Sequence, residues 1–264
     1  MKDDFLREHF EQPVSHSLSI QERNRIKGTH ALVPENWGSL IDVGCGDGCV
    51  SNPLFAKGID VLGVDWSENS LRYCEFPTVC GDITQLEIPD SSYDGAICAE
   101  VLEHLTPEQA SAVIGALIRI TRNGFIISVP AYENLAVRTV GCAQCQKNYH
   151  VFGHLQSFQS FEDVDTMVGQ KSVARAFVAK SSTDSTTLDR LRRSYSVYPW
   201  VNNALCPYCG AFLKPPATPS LPIRIFLRLA QFSISFMQKI RRQQGGWFIC
   251  CYSTQSRPGD EIRD

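Results

Sequence analysis

The chain has 264 residues, 43% hydrophobic and 20% charged, with a formal net charge of −3. That composition suits one α/β core with an insertion and excludes wholesale disorder. The slightly acidic balance argues against a dedicated nucleic-acid binder that works by neutralising phosphate, while leaving room for a local basic patch.

The opening MKDDFLREHFEQ is charged, with no apolar stretch of the signal-peptide kind, and no later run is long enough to span a bilayer. A cytoplasmic, reducing location is therefore expected. The 11 cysteines then read as buried thiols or metal ligands, and their odd number agrees. Residues 1–38 are expected to form a polar helical cap, helical through about Lys27 and interrupted at Pro13.

From Leu40 onward, apolar runs of strand length alternate with segments of helix length. The strands are SLIDVGCG, GIDVLGVD, PTVCGDI, YDGAICAEVLEHL and GFIISVP, separated by SNPLFAKG, SENSLRYCE and TPEQASAVIGALIRITRNG. The last helix has Thr106 as N-cap, Pro107 in the first helical position and Glu108 in the first turn. Asn123-Gly124 is its expected left-handed stop. This alternation predicts right-handed crossovers and a mostly parallel sheet with helices on both faces. After Pro130 the pattern breaks. A Cys/His segment is followed by a short helix in FQSFEDVDTMVGQ and a strand in SVARAFVAKSS. Next come a second cysteine pair in LCPYCGAF, the proline-rich KPPATPSLP, a helix in PIRIFLRLAQFSISFMQKIRRQ and a final strand in WFICCYST.

IDVGCGDG sets Gly44, Gly46 and Gly48 between a buried strand and a helix. Glycine there permits positive φ and lets a ligand approach the backbone at the carboxyl edge of the sheet. A dinucleotide fingerprint would place its third glycine at position 49, which is Cys49, so a nicotinamide cofactor is disfavoured. Asp65 ends the next strand, placed to accept hydrogen bonds from both ribose hydroxyls, and Asp82 follows the third strand, in reach of an adenine amino group.

Through IDVGCGDG, LGVDWS, CGDI and AEVLEHL, the stretch from about Leu40 to Pro130 resembles the class I S-adenosylmethionine-dependent methyltransferases. The resemblance implies a Rossmann-like α/β fold: a seven-stranded, mostly parallel sheet with helices on both faces and the last strand antiparallel. It implies that Asp42, Gly44, Cys45, Gly46 and Gly48 surround the methionine part of S-adenosyl-L-methionine. It also implies that Asp65 holds the ribose, that Asp82 and the Ile83 backbone bind the adenine, and that Glu100 closes the pocket near the sulfonium. Trp66 is placed either on the adenine or in the core. Such methyl transfer needs mainly positioning and exclusion of water, with a base for a hydroxyl or amine acceptor. Candidate bases are His104, His150 and His154. Glu100, Glu103 and His104 also match the E-x-x-E-H pattern of small-RNA 2′-O-methyltransferases, which bind a divalent cation there. The chain lacks a strongly basic partner domain, so RNA is not the expected acceptor.

Cys142-x-x-Cys145 and Cys206-x-x-Cys209, the latter in a CPxCG turn that exposes amides toward sulfur, together offer four thiolates for a structural zinc ion. The competing readings are two unrelated turns with free thiols, or redox chemistry, for which neither pair has the strand-to-helix setting. With four sulfurs supplied, His150 and His154 are free for the acceptor side. YHVFGHLQSF resembles the H-x-x-x-F segment bordering the pocket of small-molecule methyltransferases, which makes His154 the preferred base or acceptor contact. Residues 221–242 carry Arg224, Arg228, Lys239, Arg241 and Arg242 on an amphipathic helix, expected either to cap the pocket or to touch a membrane.

The expected organisation is a methyltransferase core at 39–137, 158–182 and 246–254. Zinc-ribbon-like insertions at 138–157 and 183–245 would form the zinc site and an acceptor lid. The expected activity is methyl transfer to O, N or C of a small-molecule, glycan or lipid-linked acceptor. The alternatives are a metal-dependent RNA 2′-O-methyltransferase and a non-catalytic, zinc-stabilised binding module.

Overall fold

A computed structural model of the chain describes residues 18–180, 191, 206–211, 220–241 and 245–255. The strands are β1 (Ser39–Val43), β2 (Asp60–Asp65), β3 (Thr78–Cys80), β4 (Tyr93–Ala99), β5 (Thr121–Ala131), β6 (Thr139–Gly141), β7 (Asn148–His150), β8 (Ala174–Ala179) and β9 (Gly246–Ser253). The helices are α1 (Ile20–Ala31), α2 (Asn52–Phe55), α3 (Glu68–Leu71), α4 (Pro107–Ile120), α5 (Phe161–Val168) and α6 (Leu221–Arg241).

Seven strands pair in the order β3-β2-β1-β4-β5-β9-β8, while β6 and β7 form a separate hairpin. Strands β1 to β5 pair in parallel, and β9 runs antiparallel to both β5 and β8. The last strand is therefore antiparallel, as expected. The carboxyl ends of β1 to β5 share one edge, where such sheets bind ligands.

Successive side chains alternate between the two faces, and both faces are buried, so the strands read as near-continuous apolar runs. One face packs Ile41, Val43, Phe125 and Ile127 against residues of α4 and α5. The other packs Leu40, Ile97, Ile126 and Ile249 against residues of α1, α2 and α3. Helices cover both faces.

Two expectations require correction. α4 stops at Ile120, short of Asn123-Gly124. Thr121 is already extended and paired with Tyr93, and its hydroxyl donates to the Leu117 carbonyl at 2.8 Å. Gly124 serves the sheet instead, because a Cβ there would lie 2.0 Å from the Tyr252 carbonyl oxygen of β9. The N-terminal helix starts at a capping box between Ser19 and Glu22 and continues past Lys27 to Ala31. The expected interruption at Pro13 lies outside the described residues.

Candidate active site

The turn after β1 is held over β2 by the Gly44 and Cys45 amides, which donate to the Val64 carbonyl at 2.7 and 3.2 Å. Gly44, Gly46 and Gly48 all have positive φ, at 73°, 54° and 75°. A Cβ on Gly44 would meet Val101 Cγ2 at 2.2 Å, whereas nothing lies within 4 Å of one on Gly46. The backbone at Gly46 thus faces open space, and Cys45 is buried. Asp65, at the end of β2, accepts from the Gly46 amide through Oδ2 and from the Ser67 amide through Oδ1, both at 2.8 Å. Asp82 accepts from the amide and hydroxyl of Thr84 at 2.9 and 2.8 Å, and Ile83 beside it is buried. Trp66 is half-buried and belongs to neither of the two main core clusters.

Asp42 lies beneath the glycine turn and accepts from the Ser51 hydroxyl at 2.6 Å. Burial pushes its pKa up to about 7, against the opposing pull of that hydrogen bond. Glu100 follows β4 with φ 59°, a left-handed conformation costly for a side chain with a Cβ. Its Oε2 accepts from Trp247 Nε1 of β9 at 2.8 Å, and its Oε1 is buried without a hydrogen-bond partner. Arg25 of α1 is buried, with Nε and Nη1 lacking partners and its guanidinium carbon 6.0 Å over the Trp247 ring. Burial raises the Glu100 pKa, opposed by the Arg25 charge and the Trp247 bond.

Just past Glu100, Glu103 is 1% exposed, and neither carboxylate oxygen has a hydrogen-bond partner from another residue. His104 Nε2 lies 4.0 Å from Glu103 Oε1. Burial, reinforced by the neighbouring Glu100, holds the Glu103 carboxyl well above its usual range. Donor atoms of Glu103, His104 and His154 lie within 4.8 Å of one another. Glu133, two residues past β5, hydrogen-bonds His154 Nδ1 through Oε2. Its Oε1 lies 3.6 Å from His150 Nε2 and 3.7 Å from Arg138 Nη1. Burial favours a protonated Glu133, but the His154 bond and the charges of His154, His150 and Arg138 outweigh it and hold the group below its usual value. His150 Nδ1 accepts from the amides of His154 and Phe152 at 3.2 and 3.4 Å, and burial pushes its pKa down to about 4.

The two cysteine pairs meet. Cys142 Sγ lies 3.5 Å from Cys209 Sγ and Cys145 Sγ 3.5 Å from Cys206 Sγ, with all four sulfurs within 4.8 Å of one another. A tetrahedral zinc–thiolate site with bonds of ~2.3 Å needs sulfurs about 3.8 Å apart, so the set fits zinc. The Cys145 amide, donating to the Cys142 sulfur, draws that thiol down to about 6. Val140, Tyr149 and Val151 pack around the cysteines as a small core of their own.

At the carboxyl edge of the sheet the structure gathers Asp42, the glycine turn, Asp65 and Glu100, with the cluster of His104, His154 and His150 close enough for the His154 charge to act on Glu100. Sequence reasoning missed Arg25, Glu133 and Trp247. Arg25 carried a faint signal, an arginine on the helix face shared by Ile26 and Thr29, which are also buried. Glu133 and Trp247 carried none, because their partners are remote in the chain.

Known proteins resemble this chain over its sheet-forming core. Residues 41–128 match the family model for a methyltransferase domain. The ubiquinone biosynthesis O-methyltransferase of Alkalilimnicola ehrlichii is 32% identical over 98 residues, covering 33% of this chain and 39% of that protein. The magnesium-protoporphyrin O-methyltransferase of a Synechocystis species is 30% identical over 161 residues, covering 54% of this chain and 66% of that protein. The chain spans between 36% and 66% of the length of the first such relatives. Among solved structures, magnesium protoporphyrin IX methyltransferase from Synechocystis with bound SAH superposes with a TM-score of 0.51 at 19% identity, covering 68% of this chain and 94% of that one. The [4+2]-cyclase SpnF superposes with a TM-score of 0.53 at 12% identity, covering 95% of this chain and 91% of that one. Proteins of different activity share the fold, so activity has to be argued from the site. Residues 41–128 thus match a methyltransferase domain, set in the fold shared by these solved structures.

Proposed function

We propose that the protein transfers a methyl group from S-adenosyl-L-methionine to a small-molecule acceptor, with oxygen favoured over nitrogen or carbon. The observation that carries this reading is the pairing of an open Gly46 backbone beside Asp65 with the buried, partnerless guanidinium nitrogens of Arg25. A buried cation without a hydrogen-bond partner is costly and calls for an anionic ligand. Arg25 would hold the carboxylate of the cofactor's amino-acid end, and the free Glu100 oxygen its ammonium. Asp42, Gly44, Cys45, Gly46 and Gly48 would line that end. Asp65 would accept from the ribose hydroxyls, and Asp82, the Ile83 backbone and Trp66 would enclose the adenine. When bound, the cofactor supplies an already activated sulfonium methyl. The chain's own task is then to exclude water, orient the acceptor and accept its proton, which we assign to His154, with His104 and His150 beside it. The names of the relatives, O-methyltransferases of ubiquinone biosynthesis and of magnesium-protoporphyrin, support oxygen and a small molecule.

Calorimetry with S-adenosylhomocysteine tests the reading. Binding should be clear in the wild type and about 100-fold weaker in Asp65→Ala, which removes two charge-assisted hydrogen bonds. No binding at millimolar ligand would sink the proposal.

Cys142, Cys145, Cys206 and Cys209 would hold one structural zinc ion. A cytoplasmic setting is in keeping with all 11 cysteines being free. A lipid-linked or glycan acceptor met at a membrane surface is supported by α6, where Leu221, Ile225, Leu229 and Phe232 are exposed alongside Arg224 and Arg228. No helix among the described residues is long and apolar enough to cross a membrane. Cosedimentation with anionic vesicles checks this, and equal recovery without vesicles would remove it.

One observation favours a second reading, metal-dependent RNA 2′-O-methylation through Glu100, Glu103 and His104. The Glu103 carboxylate is buried without a hydrogen bond from another residue, and donors of His104 and His154 are close by. Manganese-dependent labelling of RNA would support it. Cofactor binding without labelling of any acceptor would favour a zinc-stabilised binding module instead.

A further inference from the structure

We propose that Glu133 is the positioning residue for His154, and that His150 shapes the turn presenting it. The His154 ring is thereby held with Nδ1 protonated and Nε2 open to an acceptor's proton. This inference rests on the methyl-transfer reading above and supplies the part of it that faces the acceptor.

Glu133 reaches its place through a strained backbone. Tyr132, directly after β5, has φ 58°, and its amide donates to the Phe158 carbonyl at 2.8 Å. The chain leaves the strand sharply, and the Glu133 side chain, 10% exposed, turns inward. One carboxylate oxygen hydrogen-bonds His154 Nδ1, while the other faces His150 Nε2 at 3.6 Å and Arg138 at 3.7 Å. Three donors around one carboxylate keep it ionised, and an ionised carboxylate has only acceptor capacity. The shared proton therefore sits on His154 Nδ1, which leaves a lone pair on Nε2 of the neutral ring.

His150 completes the frame. Two backbone amides donate to its Nδ1, so its own proton sits on Nε2, toward Glu133. Its ring stacks on His154 with centroids 4.8 Å apart, and His104 meets the His154 ring edge-on, also at 4.8 Å. The following segment is fastened to the β4 exit by the Leu155 amide, which donates to the Glu103 carbonyl at 2.7 Å. The Gln156 side-chain amide adds bonds to the Leu102 and Leu105 carbonyls at 3.2 and 2.8 Å. Rotation of the His154 ring is restrained on three sides. An acceptor hydroxyl or amine would give its proton to Nε2. The resulting imidazolium faces the Glu133 carboxylate, and the proton then leaves to water, restoring the neutral ring.

Nitrogen-15 spectra of the histidine rings in the intact, zinc-loaded protein read this directly, with His154 assigned by comparison with His154→Gln. The expected result is an Nδ1–H tautomer for His154 with its ring N–H proton far downfield. Glu133→Ala should lose that proton signal and move His154 to the Nε2–H tautomer. If Glu133→Ala fails to fold, judged by zinc content, Glu133→Gln keeps the shape, and its neutral amide should still remove the far-downfield shift. An Nε2–H tautomer in the wild type, or a His154 spectrum unmoved by both variants, overturns the proposal. S-adenosylhomocysteine calorimetry on the same samples separates the two readings. Wild-type binding with the wrong tautomer sinks only the role of Glu133, whereas absent binding sinks methyl transfer and leaves the tautomer result standing.

Discussion

The proposed cofactor side of the site and its proposed acceptor side are assembled by different means. On the cofactor side, most groups come from strand ends and the turns that follow them, between Asp42 and Glu100, and parallel pairing of β1 to β4 sets their spacing. On the acceptor side, Glu133, His150 and His154 sit on a segment anchored by a hairpin of two three-residue strands, whose small core includes the four cysteines. Cys142 and Cys209, 67 residues apart, must meet to close it. An isolated two-stranded hairpin is marginal in water. The first half is stabilised by the sheet and the second by the small core around its four cysteines.

Metal removal should separate the two halves most visibly. Structural zinc contributes roughly 10–16 kcal/mol to the folding of small sites of this kind. Cys206→Ser or a strong chelator should take zinc from one per chain to none. Hydrogen exchange should then show lost protection in residues 139–150 with β1 to β5 unchanged, and S-adenosylhomocysteine affinity should stay within about twofold. Equal loss of protection in both halves would mean that they fold as one unit.

Asp42 gives the next effect, confined to the cofactor side. Its pKa in the folded protein, about 7, lies above the ordinary 3.8. The folded state therefore binds more protons than the unfolded one between those values. That stabilisation is complete below pH about 4 and is lost as pH rises through about 7, on the order of 4 kcal/mol in all. Asp42→Asn should flatten this fall in urea denaturation between pH 4 and 8 while weakening S-adenosylhomocysteine binding. Parallel pH profiles for variant and wild type would show that Asp42 is not the group responsible.

Smaller still is the effect expected of Arg25. Arg25→Met keeps an apolar stem and removes the guanidinium that lies over Trp247, so cofactor affinity should fall about 10- to 100-fold, or roughly 1.5–3 kcal/mol. Zinc content should not change. An unaltered affinity would place the cofactor's carboxylate elsewhere and leave the partnerless Arg25 nitrogens to another ligand.

Much of the arrangement at the proposed cofactor side was legible from the chain alone. Three glycines follow an apolar strand, with Asp65 and Asp82 at the next two strand ends, and parallel pairing brings them to one edge. The end of α4 was misjudged because Gly124 looks like a helix stop. Its lack of a Cβ instead serves close approach to Tyr252, which enters β9 more than a hundred residues later. The meeting of CxxC pairs was also readable, since four thiolates at ligand spacing have few other stable arrangements in a reducing setting. Glu133 was not readable, nor was the contact between Trp247 and Glu100, 147 positions apart.

By itself the sequence determined the strand–helix alternation, the glycine turn and the carboxylates at its edge. These follow from backbone sterics and from residues close together in the chain. Which groups end up buried without hydrogen-bond partners, Arg25 and Glu103 among them, and which carboxylate meets His154 follow from the tertiary fold. Burial and hydrogen bonding depend on what the remaining chain brings alongside, and no local pattern encodes that.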